Sequence, residues 1–88
     1  MAMANVEEVK VSVAASVDGA QRALAGIQMV ADQLDQSLAL LRLTAVGSFH
    51  PSTAAAISQL EQARLRLDEA TQLTRAAMES ANQFRGLI

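Results

Sequence analysis

Apolar or small residues recur from Val6 in steps of three and four: Val6, Val9, Val13, Val17, Ala20, Leu24, Ile27, Ala31, Leu34, Leu38 and Leu41. A stripe of that period runs down one side of an α-helix, whereas a strand alternates every second residue, so the pattern is helical. It holds for about five heptads, the persistence expected of a coiled-coil seam. A second stripe follows at Ala56, Leu60, Ala63, Leu67, Ala70, Thr74, Ala77, Ala81 and Phe84, widened by Ile57 and Met78. Only "LRLTAVGSFHPSTAAAI", residues 41–57, breaks the rhythm.

The boundaries follow from capping chemistry. Asn5 can cap the first helix, with Glu8 three residues on as its capping-box partner and Glu7 near the positive end of the dipole. Gly47 reads as the residue just past the helix, where a left-handed backbone needs glycine. Pro51 is tolerated in the first turn of a returning helix, with Ser52 or Thr53 as alternative caps, and Gly86 marks its end. The chain therefore reads as all-α, a single domain over residues 1–88: an antiparallel two-helix hairpin with helices at about 5–45 and 52–86. Gly47, Phe49, His50 and Pro51 form its turn, Phe49 folding over Leu43 and Ile57, and His50 solvated or capping. On the polar side, Arg64 with Asp68, Arg66 with Glu69 and Arg75 with Glu79 stand three or four apart, spacings that make helical ion pairs.

Composition removes whole classes of function. The 88 residues contain no cysteine and one histidine, which excludes disulfides and thiolate metal sites and leaves no ligand set for zinc, so no metal and no cofactor are expected. That histidine lies in the turn with no orienting carboxylate near it in sequence, and the serines have no base close by, so no catalytic constellation is legible and the chain reads as a non-enzyme. Gly19 and Gly26 in "GAQRALAG" lack the lysine and hydroxyl of a phosphate loop and fall inside a helical pattern, so no small-molecule ligand is expected. The net charge is −2, with one lysine and six arginines interleaved among acids, unlike the clustered basic face of a nucleic-acid binder. The charge-free stretch from Leu43 to Leu60 holds Pro51, His50 and five Ser or Thr, so no membrane insertion is expected. "MAMANVEEVK" lacks the basic and apolar regions of a secretory signal, which points to a cytoplasmic protein or one exported without a cleaved signal peptide.

What remains is a surplus of apolar residues. Beside the main stripe of the first helix runs a second row, Ser12, Ser16, Gly19, Ala23, Gly26, Val30, Gln33, Ser37 and Leu40, built mostly of small side chains. Glycine inside a helix costs about 1 kcal/mol relative to alanine, so Gly19 and Gly26 either serve close packing or are tolerated in a long helix. Leu65 and Leu73 lie off the second stripe, and five alanines thin that stripe. Apolar burial contributes about 25 cal/mol per Å² against about 1.5 kcal/mol to order each residue, so an isolated hairpin balances near zero. The expected answer is a homodimer, or a heterodimer with another helical hairpin, forming a four-helix bundle. Its predicted interface comprises Ser16, Gly19, Ala23, Gly26, Val30 and Leu40 with Leu65 or Leu73.

In layout the whole chain resembles the WXG-type small proteins of type VII secretion, cysteine-free helical hairpins of about this length with a glycine in the turn. The arginine-over-lysine, alanine-rich style is similar to that of high-GC actinobacterial proteins. The family's Trp-x-Gly turn would fall on Ala45-Val46-Gly47, where the glycine alone is kept, and its export motif on Phe84 to Ile88, where neither the tyrosine nor the acid is present. The resemblance implies pairing of hairpins and a role as accessory or adaptor in a secretion or toxin locus. The other reading is a structural, self-assembling coiled-coil unit of a phage or signalling assembly; a third is a subunit lending helices to a shared enzyme site.

Overall fold

The computed structural model describes residues 5–47 and 50–88. It consists of two helices, α1 (Val6–Gly47) and α2 (Pro51–Leu87), joined across residues 48–50 and packed antiparallel along their length. At the standard rise of about 1.5 Å per residue, a helix of 42 residues is about 63 Å long, close to the 65 Å long axis of the molecule, so α1 runs without a sharp kink through Gly19 and Gly26. Among the described residues there is no strand.

α1 begins as its sequence implies. The Asn5 side chain accepts a hydrogen bond from the Glu8 amide at 2.8 Å, and the Asn5 carbonyl accepts from Val9 at 3.0 Å. Glu7 and Glu8 occupy the first turn, where the helix dipole favours carboxylates. The other three boundaries differ by one or two residues from expectation. α1 continues through Gly47, and no glycine among the described residues has positive φ, so Gly47 is the last helical residue rather than a left-handed terminator. α2 starts at Pro51 and ends at Leu87, one residue beyond Gly86.

The cap of α2 is His50, not Ser52 or Thr53. Proline disfavours helical geometry in the residue before it, and His50 is extended, with φ −127° and ψ 135°, the conformation a cap requires. Pro51 then occupies the first helical position, where its missing N–H costs nothing. Ser52 and Thr53 are thereby moved inside the helix as donors: the Ser52 amide donates to His50 Nδ1 at 3.1 Å and the Thr53 amide to the His50 carbonyl at 3.0 Å. The packing expected of Phe49 lies outside the described residues.

The seam follows the first stripe closely. Ala31 and Leu38 are buried, at 2% and 4% exposure, and Val9, Val13, Val17, Ala20, Leu24, Ile27, Leu34 and Leu41 are half-buried; Val6, at the open end, is exposed. On α2, Ala56, Leu60, Ala63, Leu67, Ala70, Thr74 and Ala81 are half-buried, and the hydroxyl of Thr74 donates to the Ala70 carbonyl at 2.7 Å, which satisfies it inside its own helix. Towards the C-terminus the phase slips. Met78 and Arg85 turn towards the partner helix, while Ala77 and Phe84, both placed in the stripe by the sequence, are exposed. A straight helix has 3.6 residues per turn, so a strict seven-residue repeat drifts by about 20° per heptad and the seam passes to the next residue.

Two outcomes test these ends. Replacing His50 with Ala should lower stability by about 1 kcal/mol, and His50→Ser should restore it, as read from thermal melts of the three proteins. Because Gly47 is helical and a Cβ there meets nothing within 4 Å, Gly47→Ala should leave stability unchanged or raise it by up to about 1 kcal/mol; a loss would show that the position needs a left-handed backbone.

Candidate interaction surface

The residues beside the seam divide the hairpin into two unlike faces. Successive residues in a helix are about 100° apart, so the residue after each seam position lies on one flank and the residue before it on the other. After the seam positions of α1 come Lys10, Asp18, Gln21, Gln28, Asp32, Asp35 and Arg42, interrupted by Ala14, Ala25 and Ala39; after those of α2 come Glu61, Arg64, Asp68, Arg75, Glu79 and Asn82, with Ile57, Thr71 and Gly86. Before them stand Glu8, Ser12, Ser16, Gly19, Ala23, Gly26, Val30, Gln33, Ser37 and Leu40 on α1, and Ala55, Gln59, Gln62, Arg66, Glu69, Leu73, Ala77, Ser80 and Phe84 on α2. One flank of each helix is charged and the other nearly uncharged.

Ion pairs show how the flanks combine. Arg64 donates through Nε to Asp35 at 2.9 Å and through NH1 to Asp68, and Arg42 reaches Glu61 across the helices at 3.4 Å. All five belong to the charged flanks, so both charged flanks share one face of the hairpin and both uncharged flanks share the other. The bond to Asp35 first, then that to Asp68, raises the Arg64 pKa above the ordinary arginine range, with modest desolvation opposing. Arg64 therefore stays charged and ties α1 to α2 at a fixed register. Pairs within one helix join Asp18 with Arg22 and Arg66 with Glu69. The pair expected between Arg75 and Glu79 is not formed, and both interhelix pairs went unforeseen, because i,i+4 spacing carries no information about a partner helix.

Of the predicted interface, Ser16, Gly19, Ala23, Gly26, Val30 and Leu73 fall together on the uncharged face; Gly19 is half-buried and the others exposed. Leu40, which directly precedes the seam residue Leu41, continues the same row at 67% exposure, two heptads on from Gly26. Leu65 does not join them: it lies two residues from both Ala63 and Leu67, about 200° round its helix, and points away from the hairpin at 59% exposure. Phe84, assigned by the sequence to the seam, belongs instead to the uncharged face, and Ala77 with it. At Gly19 and Gly26 an added Cβ meets nothing within 4 Å, so neither glycine is required by contact between α1 and α2.

Among the described residues, two surface depressions are each lined by one end or face of a single helix, Gln62, Leu65, Arg66 and Glu69 in one and Asn5, Glu7, Glu8, Val11 and Ser12 in the other. Among the described residues no three His, Cys, Asp or Glu gather to hold a metal, and no helix is long and apolar enough to cross a membrane. In comparisons with protein-family models, curated proteins and solved structures, none matches this chain.

The double bond of Arg64 makes a distinction that a surface pair within one helix cannot. Arg64→Met should lower the melting temperature measurably more than Arg66→Met, and the gap should narrow in about 1 M salt, where screening reaches within about 3 Å. Equal effects at low salt would mean that the interhelix bond carries no stability.

Proposed function

We propose that this chain is a non-catalytic helical interaction module whose folding is completed by pairing with another helical hairpin, a second copy or a related chain. The surface it exposes carries the reading. A compact monomer of 9.3 kDa exposes about 5,000 Å² by the usual scaling, whereas this hairpin exposes 6620 Å², an excess of roughly 1,600 Å². That excess is the area each subunit buries in an obligate dimer, which totals about 2,000–5,000 Å² for both partners. The interior is correspondingly slight: Ala31 and Leu38 are its buried hydrophobic residues, while Val11, Met29, Val30, Leu40, Leu43, Val46, Leu65, Leu73 and Phe84 remain exposed. An exposed apolar surface of this extent is typical of chains that fold with a partner.

The layout and the arginine-rich, cysteine-free composition favour a place as accessory or adaptor in an actinobacterial secretion or toxin locus, with the protein held in the cytoplasm or exported without a cleaved signal. Neighbouring genes for a secretion ATPase or a polymorphic toxin would support that placement; phage structural genes would favour the structural coiled-coil reading instead.

Coupled folding and association has a plain signature. A hundredfold rise in protein concentration should raise the melting temperature by about 5 °C or more, measured by circular dichroism, because association stabilises the folded state by mass action. For homotypic pairing the rise appears in the purified chain alone; for heterotypic pairing it appears when the partner hairpin is titrated in. A melting temperature independent of both would overturn the reading.

A further inference from the structure

We infer that the uncharged face is covered by a second copy of this chain lying tip beside tip, so that the small row of α1 in one copy receives Leu73 and Phe84 of α2 in the other. This rests on the pairing proposed above and adds the partner, the face and the orientation. The choice of face follows from charge. Stacking on the charged face would strip water from Asp32, Asp35, Arg64, Asp68 and Glu79 in both copies, a cost that pairing seldom repays. The opposite face brings Glu8 at the open end and one ion pair, Arg66 with Glu69 at 3.1 Å, already neutralised within its own helix.

The orientation follows from register. The bond from Arg64 to Asp35 sets residues 35 and 64 at one height along the hairpin. Nine residues back along α1 is Gly26 and nine onward along α2 is Leu73, so at equal rise these two share a height; Ser16 and Phe84 fall within one residue's rise of each other. A twofold axis running lengthwise between stacked copies lays each α1 on the other copy's α2 and keeps every height. Leu73, at 72% exposure, then stands over Gly26 of the second copy, where a Cβ would meet open space, and Phe84 stands over Ser16. An axis running crosswise would set small rows on small rows and large on large, which cannot interdigitate as well. The broad side of the hairpin, 65 by 23 Å, is about 1,500 Å², comparable with the excess surface of roughly 1,600 Å² that calls for a cover.

The test uses the whole chain and its lack of cysteine. Gly26→Cys and Leu73→Cys are prepared separately, mixed while reduced and oxidised in a glutathione buffer. The mixture should yield a disulfide-linked species containing both variants, several-fold above what either yields alone; if Leu73→Cys alone links as readily as the mixture, the copies stack the other way and the inference falls. Sedimentation equilibrium supplies the second reading. Leu73→Glu with Phe84→Glu should weaken self-association a hundredfold or more, and Met29→Glu with Leu65→Glu, each two residues from the seam positions on either side of it, should leave it unchanged. The reverse result would place the contact on the outer edges and overturn this inference while leaving homotypic pairing intact. A folded 9.3 kDa monomer at all concentrations that pairs only with an added hairpin would overturn the second copy and not the module. Should the double glutamate variant unfold, the milder cysteine pair decides.

Discussion

The seam between α1 and α2 is the contact on which the rest of the molecule depends, and it is thin. On one side it is built mainly from Val, Leu and Ile with Ala20 and Ala31, and on the other largely from Ala56, Ala63, Ala70 and Ala81 with Leu60 and Leu67, so the helices can lie close while little side-chain volume is buried between them. Hydrophobic stabilisation scales with the area removed from water, and a single seam two helices wide removes water from one side of each helix only. The hairpin's length, its exposed leucines and its excess surface are consequences of that geometry. Chains of this size ordinarily close the deficit with a disulfide, a metal or a partner; this one has no cysteine, and the pairing proposed above would supply the third.

Electrostatics adds direction to an otherwise nearly symmetric rod. Apolar periodicity alone would let two antiparallel helices slide by a heptad at modest cost. Arg64, gripping Asp35 on the facing helix and Asp68 on its own, and Arg42 with Glu61 each favour one register. Surface ion pairs contribute little to net stability, but their value in specifying a register does not depend on large energies. By placing these charges on one face, the same residues leave the other face free of them, and that segregation gives two amphipathic helices two unlike faces, on which the proposed pairing rests.

The tip shows a local rule overriding a statistical one. Ser and Thr are better caps than His in general, yet Pro51 forces the residue before it into extended geometry, and that residue is His50. The position of the cap was set by the proline's ring rather than by the preference of the capping side chain. Gly47 teaches the converse: a glycine near a helix end invites the left-handed reading, but its freedom is an option and α1 does not use it.

Taken alone, the sequence determined the helical class, the two tracts to within two residues at each end, the Asn5 cap and the seam as far as Ala70, because each depends on spacing or on chemistry within a few residues. The small row of α1 was also legible, since it is simply the set of residues preceding the seam. What the tertiary structure decided is everything that needs two helices at once. The register, fixed by Asp35 with Arg64 and Arg42 with Glu61, sets Leu73 level with Gly26; the helical drift exposes Phe84 and Ala77 while turning Met78 inward; and Leu65 is carried to the outer edge, away from the face it was expected to share. A helical period says which residues of one helix lie together, but the relative height and rotation of two helices come from side chains meeting across a gap, and that meeting is not written in the spacing of either chain segment.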